Sequence, residues 1–283
     1  MIRIAIQTKG RLNEESVALL REIGIKIEEA KRKFLSKSRN FPLEVLYLRD
    51  DDIPGVVARG TAQLGIVGLN EVAEKGYKVD IAARLGFGGC RISLAIPKAE
   101  EYKGVEYFNG KSIATSYPNI LNAFLKEKGV QAETEVITGS VEIAPAAGIA
   151  DCIFDIVSSG GTLVSNGLKE VERVFESEAV LIANPNLSDE DRAVLDEILF
   201  RMESERVSRS KKYVLMNLPN EALPQAIALL PALHSPTVMP LATEGWSSLH
   251  TVIDEADLWE KVRRLKEIGA EGILVLNVDK IIP

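Results

Sequence analysis

"CIFDIVSSGGTLVSNG", residues 152–167, is the stretch on which the fold turns. A run of β-formers ends in two serines, two glycines and a threonine, and a helical pattern resumes at once. Strand, tight turn and helix in that order are the unit of an α/β architecture. Small residues let backbone N–H groups converge, and hydroxyls add further donors. Such a turn is either a plain corner or a cradle for an anion. Taken alone, the cluster does not choose between the two.

The same rhythm extends in both directions. "IRIAIQ" reads as a strand, and "NEESVALLREIG" as a helix whose Val17, Leu20 and Ile23 recur at helical spacing. "LEVLYLR" and "LGIVG" read as further strands, and "DIPGVVARG" and "NEVAEKG" as helices. "RISLAIP", "SIATSYP", the helix "NILNAFLKEKG", "ETEVITG", "CIFDIV" and "EAVLIANP" continue the alternation. This predicts an α/β fold with largely parallel sheets. The strands are numerous enough for two lobes, residues 1–90 with 184–210, and 91–183. "SDEDRAVLDEILFRMESERV" opens on a capping pattern, Ser188 to Asp191. It would bury Val194, Leu195, Ile198, Leu199 and Met202 on one face.

From Lys211 the order changes to βαββαβ, the ferredoxin-like sequence of elements. Residues 211–283 are therefore expected to form a separate domain, with Leu258, Trp259, Val262, Leu265 and Ile268 as the packing stripe of its last helix.

The 283 residues suit about two domains, and 46% hydrophobic with 27% charged residues is ordinary globular composition. A net charge of -7 argues against a nucleic-acid surface, although a local cationic cluster still suits a small anion. Cys90 and Cys152, the only cysteines, point to a reducing compartment. No run reaches the ~18 apolar residues of a membrane span. "MIRIAIQTKGRL" turns polar too early for a signal peptide. The expectation is a cytoplasmic protein that binds neither nucleic acid nor membrane.

Several chemistries drop out. There is no G-x-x-x-x-G-K-[ST] loop and no G-x-S-x-G elbow. "GFGGCR" starts like a dinucleotide fingerprint but carries Arg91 where the third glycine belongs. His234 and His250, the only histidines, have no metal-ligand partner at useful spacing. What remains is polar residues where strands end: Lys9, Gly10 and Arg11 after the first strand, Arg49 after the second, "FGGCR" before the fifth and "TSYPN" after the sixth. Each alone is an ordinary turn, but together they point to one cleft at the carboxyl ends of the strands. "EEAKRKF" is a run of the kind that usually forms a solvated face, although Arg32 could reach inward.

Upstream, the opening stretch extends to "EIAPAAGIADCIFDIVSSGGTL", 22 residues that resemble the signature of the ATP phosphoribosyltransferase family. The match holds at Glu142, Gly148, Ala150, Asp155, Ser159, Gly160, Thr162 and Leu163. "QTKGRL", "RDDDIPG", "LGIVG", "FGGCRISLA", "NGKSIATSYP" and "HSPTVMPLA" resemble other segments of that family's long, hexameric form. Gly86 departs from the pattern, since an acidic residue can stand there.

The resemblance implies a two-lobed, periplasmic-binding-protein-like catalytic region with an ACT-like regulatory tail. It implies condensation of ATP with phosphoribosyl pyrophosphate, the first step of histidine biosynthesis. Ser158, Ser159, Gly160, Gly161 and Thr162 would cradle the 5-phosphate, aided by the following helix end. Asp155 and Glu142 would meet the ribose or Mg²⁺ bridging the substrate phosphates. Lys9, Gly10, Arg11, Arg32 and Arg49 would face the phosphate chains, and Tyr117 the adenine or simply the core. Histidine would inhibit through the tail at Pro236, Thr237 and His250, on a dimer–hexamer homo-oligomer. The competing reading is a two-lobed small-ligand-binding protein with an amino-acid-sensing tail.

Overall fold

The computed structural model describes residues 1–28, 34–230 and 235–282. The chain divides into two compact units, Met1–Leu195 and Asp196–Pro283. The first unit contains two sheets. Strands β1 (Ile2–Gln7), β2 (Leu35–Lys37), β3 (Leu43–Leu48), β4 (Leu64–Gly68) and β5 (Asp80–Arg84) begin one of them. The chain then crosses to β6 (Cys90–Pro97), β7 (Ser112–Thr115), β8 (Glu133–Val136), β9 (Cys152–Val157) and β10 (Leu168–Ser177). It returns through β11 (Ala179–Ala183). The resulting orders are β2-β3-β1-β4-β11-β5 and β10-β6-β9-β7-β8.

Both sheets are mixed, which corrects the expectation of largely parallel pairing. β1 runs parallel to β3 and β4, and β7 parallel to β8 and β9. β11 is antiparallel to β4 and β5, and β6 to β9 and β10. The reversals at β6 and β11 sit where the chain crosses between the sheets, whereas β2, antiparallel to β3, reverses within the first sheet. β11 also belongs to the first sheet, although the lobe boundary read from sequence fell after it. All five of its residues are buried, so its sequence carries no sign of which sheet it joins. The two crossings are tied together: Leu85 N–H donates to Ala179 O at 3.0 Å, and Ala179 N–H to Phe87 O at 2.9 Å. Gly86 N–H donates to the Glu178 carboxylate at 3.2 Å, which gives the departing residue its local contact.

Helices α1 (Arg11–Glu22), α2 (Ile53–Ala58), α3 (Leu69–Lys75), α4 (Pro118–Lys128) and α5 (Gly161–Ser165) follow β1, β3, β4, β7 and β9. Ile2, Ile4 and Ile6 in the first sheet, Leu94 and Phe154 in the second, and Phe108 in a 3-10 turn packed against the second are fully enclosed. α6 (Asp189–Arg209) runs from the first unit into the second. Its start has the expected cap, Asp191 N–H donating to Ser188 Oγ at 3.1 Å. Its last turns belong to the second unit, where Ser208 Oγ donates to Asp279 O at 3.1 Å. The division therefore lies inside the helix, upstream of the boundary placed near residue 210.

The second unit comprises β12 (Lys211–Pro219), α7 (Leu223–Leu229), β13 (Thr237–Pro240), β14 (Trp246–Asp254), α8 (Leu258–Glu267) and β15 (Glu271–Asn277). The strand order is β13-β14-β12-β15 with every pairing antiparallel, the ferredoxin-like arrangement. Val214, Met216, Leu249, Leu258 and Leu265 form its core. Trp259 is 78% exposed, which corrects its place in the packing stripe. One residue beyond buried Leu258, it is turned about 100° around the helix.

Candidate active site

The carboxyl ends of β1, β4 and β9 meet at a cleft of about 210 Å³. Arg11 and Glu15 from α1, Asn70 and Glu71 from α3, Gly88 and Gly89 from the first crossing and Ser158 after β9 all line it. Both sheets therefore contribute, and the cleft lies outside carboxyl ends of strands, where ligands bind in open α/β sheets.

On the first side, β1 ends and Gly10 turns the chain with φ +93°, a conformation that L side chains rarely adopt. Gly10 O then accepts from Glu14 N–H at 3.1 Å and starts α1. Arg11 pairs with Glu15 at 3.1 Å while 70% exposed, and Arg49 pairs with Asp51 at 3.1 Å while 75% exposed. Lys9 is exposed at the same strand end.

On the second side, β9 delivers Ser158 and Ser159 to Gly160, which takes φ +81° and caps α5. Leu163 is buried and anchors this corner, whereas Ser158, Ser159 and Thr162 are exposed. Among the described residues their hydroxyls have no hydrogen-bond partner. Helix α5 is five residues long, too short for the expected helix-end field to add much, so N–H groups and hydroxyls are the donors present. Asp155, half-buried within β9 three residues before Ser158, accepts from Ile156 N–H at 2.8 Å. Burial chiefly, and the nearby Glu142 carboxylate, push its carboxyl up to about 6. Glu142 lies in the short 3-10 turn Val141–Ile143, entered through Ser140 at φ +51°.

A model of the ATP phosphoribosyltransferase family matches residues 49–204, and one described as "HisG, C-terminal domain" matches residues 208–280. An ATP phosphoribosyltransferase of Bacteroides thetaiotaomicron is 61% identical over 282 residues, covering all of both chains. One of Cytophaga hutchinsonii is 54% identical over all of this chain and 99% of its own. This chain belongs to the ATP phosphoribosyltransferase family. A solved ATP phosphoribosyltransferase (HisG:HisZ) complex from Thermotoga maritima aligns with a TM-score of 0.63 and 28% identity, over 72% of this chain and 96% of that one. A substrate-binding protein of an amino-acid ABC transporter aligns at a TM-score of 0.51 and 12% identity, over 74% of this chain and 94% of that one. That second likeness concerns the fold alone, so it supports the two-lobed architecture and not the binding-protein reading.

Within this ATP phosphoribosyltransferase the residues singled out from sequence divide into groups. Arg11 and Ser158 line the cleft, with Asp50 beside Arg49. Arg32 lies outside the described residues. Tyr117 is 7% exposed and packed in the core of the second sheet, in line with the second of the two readings its sequence left open. Its hydroxyl donates to Glu71 at 2.9 Å and accepts from Asn70 Nδ2 at 3.2 Å. Burial, then Glu71, raises the phenol well above its ordinary value. Glu71 was missed by the sequence reading. It lines the cleft, and burial first, then Asp50 and Asp51, raises its carboxyl. Nothing in "NEVAEKG" marks it locally; α3 packs against α4, and the Tyr117 hydroxyl meets its carboxylate.

In the second unit, Thr237 and His250 stand opposite each other in the β13–β14 register. His250 Nδ1 meets the Tyr213 hydroxyl at 2.8 Å, and Nε2 meets Ser248 Oγ at 3.1 Å. Pro236 immediately precedes β13 and is half-buried.

Proposed function

We propose that this ATP phosphoribosyltransferase, an enzyme of histidine biosynthesis, brings adenine N1 of ATP to the anomeric carbon of phosphoribosyl pyrophosphate at the cleft between its two sheets. The N1 lone pair forms the new bond to C1, the C1–oxygen bond breaks, and pyrophosphate leaves with its electrons. Adenine N1 carries that lone pair without prior deprotonation, so positioning and charge stabilisation are the principal levers. The carrying observation is the full-length likeness to ATP phosphoribosyltransferases at 58–61% identity, together with an exposed Ser/Gly/Thr loop whose first residue, Ser158, lines the cleft.

In this reading Ser158, Ser159, Gly160, Gly161 and Thr162 hold the 5-phosphate, and Asp155 accepts hydrogen bonds from the ribose hydroxyls. Lys9, Arg11 and Arg49 neutralise the phosphate chains of the two substrates, with Gly10 shaping the turn that presents them. Enzymes of this family need a divalent metal, which we take to be Mg²⁺. Among the described residues no group of three or more His, Cys, Asp or Glu forms a ready-made metal site. The donors fit Mg²⁺ nonetheless, since that ion usually takes one or two carboxylates and completes its shell with water and substrate phosphates. Asp155 and Glu142, whose mutual repulsion helps to raise Asp155, are the carboxylates that would hold it. When bound, the ion supplies charge neutralisation for the leaving pyrophosphate.

The tail reads as a histidine sensor on a cytoplasmic homo-oligomer with a dimer–hexamer equilibrium. Thr237 and His250 form the core of the proposed contact, beside Pro236. Linkage then requires histidine and the substrates to favour different states. Pyrophosphate release with both substrates, and none when either is omitted, tests the reaction. Release without ATP would defeat it. For the sensor, His250→Ala in the full chain should raise the histidine concentration needed for half-inhibition by about tenfold. An unchanged inhibition curve would remove His250 from the site.

A further inference from the structure

The missing third glycine of "GFGGCR" has a counterpart in the structure. Arg91 is the second residue of β6, which lies between β9 and β10. Its guanidinium Nε and Nη2 each donate to the Glu170 carboxylate at 2.5 Å. Its third nitrogen, Nη1, donates to the carbonyl oxygen of Ser158 at 3.0 Å. Ser158 is the first residue of the loop read above as the phosphate cradle. We propose that Arg91 and Glu170 are positioning residues that clamp the entrance of that loop and set the direction of its donors.

The register makes the arrangement specific. Arg91 stands opposite Val157 and Ser93 opposite Asp155, so these side chains share one face of the second sheet. Glu170 reaches that face from the other flank, where its Oε1 also accepts from Ser93 Oγ at 2.8 Å. Arg173 adds a contact to the same oxygen at 3.3 Å. Arg91 and Glu170 side chains are only about one-fifth exposed, at 20% and 21%. The hydrogen bonds from Arg91 are the main reason the Glu170 carboxyl is held down to about 2. Glu170 therefore stays ionised and the pair is a fixed neutral unit. A planar guanidinium with donors in a fork can grip a carboxylate on one side and a carbonyl on the other, which a lysine ammonium cannot do in one geometry. With the Ser158 carbonyl turned toward Arg91, the next peptide N–H groups are free to face the cleft side. The charge of Arg91 is spent on Glu170, so its role lies in the shape of the loop and not in direct neutralisation of substrate.

The proposal rests on the phosphate-cradle reading, and the test separates the two. Steady-state kinetics on the full-length Arg91→Lys, Glu170→Gln and Thr162→Val enzymes, varying each substrate in turn, is the experiment. Arg91→Lys and Glu170→Gln should each raise KM for phosphoribosyl pyrophosphate on the order of tenfold and leave KM for ATP within about twofold. That split is a readout that lost stability alone does not produce. Glu170→Gln preserves side-chain volume and carries the test if Arg91→Lys does not fold. The clamp is overturned if both KM values rise together, if Arg91→Lys behaves as wild type, or if Thr162→Val raises the sugar-diphosphate KM while Glu170→Gln leaves it unchanged. An unchanged KM in Thr162→Val overturns the cradle itself, and the clamp with it.

Discussion

The two sheets of the first unit present their strand ends to one cleft by opposite means. The first offers cations on long side chains: Arg11 and Arg49 are 70% and 75% exposed and held only by local carboxylates. The second offers short hydroxyls and backbone on a corner tied to the sheet by Leu163 and by Arg91. Flexible cations attract an anion from several directions at little structural cost. A fixed loop defines where the anion stops. Substitutions on the second side should therefore cost more activity per residue than those on the first.

The largest effect is expected at Asp155. Asp155→Asn should lower kcat/KM by about a hundredfold or more, the scale associated with removing a preorganised partner of the reacting centre. With its pKa at about 6, the wild-type kcat/KM should rise as the pH passes upward through that value. The acid limb should vanish in the variant. Stability follows with a definite sign. A carboxyl whose folded-state pKa lies above its unfolded value favours folding while protonated, and that advantage disappears as pH rises through about 6. Asp155→Asn should therefore melt higher than wild type above that pH and at about the same temperature near pH 4. A variant that is fast and no more stable would equalise the two sides of the cleft.

Between the extremes lies the joint itself. Glu74 on α3 is 5% exposed, and its carboxylate accepts the N–H groups of Asn119 and Ile120 at 2.9 and 3.0 Å. It thus caps α4, a helix of the other sheet, in place of a local cap. Glu74→Ala leaves those donors without a partner and should cost about 1–3 kcal/mol of stability. Thermal melting should register a drop of roughly 2–10 °C, with kcat/KM changed by no more than about threefold. A fall in kcat/KM as large as that of Asp155→Asn, without loss of stability, would instead place the joint in the catalytic machinery.

The legibility of these features in sequence follows the same division. The strand, Ser/Gly turn and helix of residues 152–167 were plain because each step is local, and so was the βαββαβ order of the tail. β10 escaped. "LKEVERVFES" spaces its apolar residues irregularly, and the register shifts at Glu170/Glu172 and Arg173/Phe175 explain why. Two bulges break the alternation by which a strand is read. With β10 went Glu170, and with it the meaning of Arg91. Tyr117 in "TSYP" stood between adenine contact and core packing, because one aromatic residue at a strand end suits either. Its burial in the second sheet's core, with its hydroxyl meeting Glu71 and Asn70, 46 and 47 positions away, decides for packing. Pairings of such long sequence separation leave no local trace.

The smallest effect belongs to the first side of the cleft. Arg11→Gln removes one cation from an exposed position that already shares its charge with Glu15. An exposed ion pair contributes about 0–1 kcal/mol and is screened by salt, so melting should shift by no more than about 3 °C. Binding of a polyanion is the more sensitive readout. KM for ATP should rise about two- to fivefold at low ionic strength, and the difference from wild type should shrink as salt is raised toward about 0.5 M. That salt dependence is what distinguishes a mobile neutralising charge from a fixed donor. If the Arg11→Gln deficit persisted undiminished at high salt, Arg11 would be making a directed, desolvated contact, and the first sheet would be holding its ligand as firmly as the second.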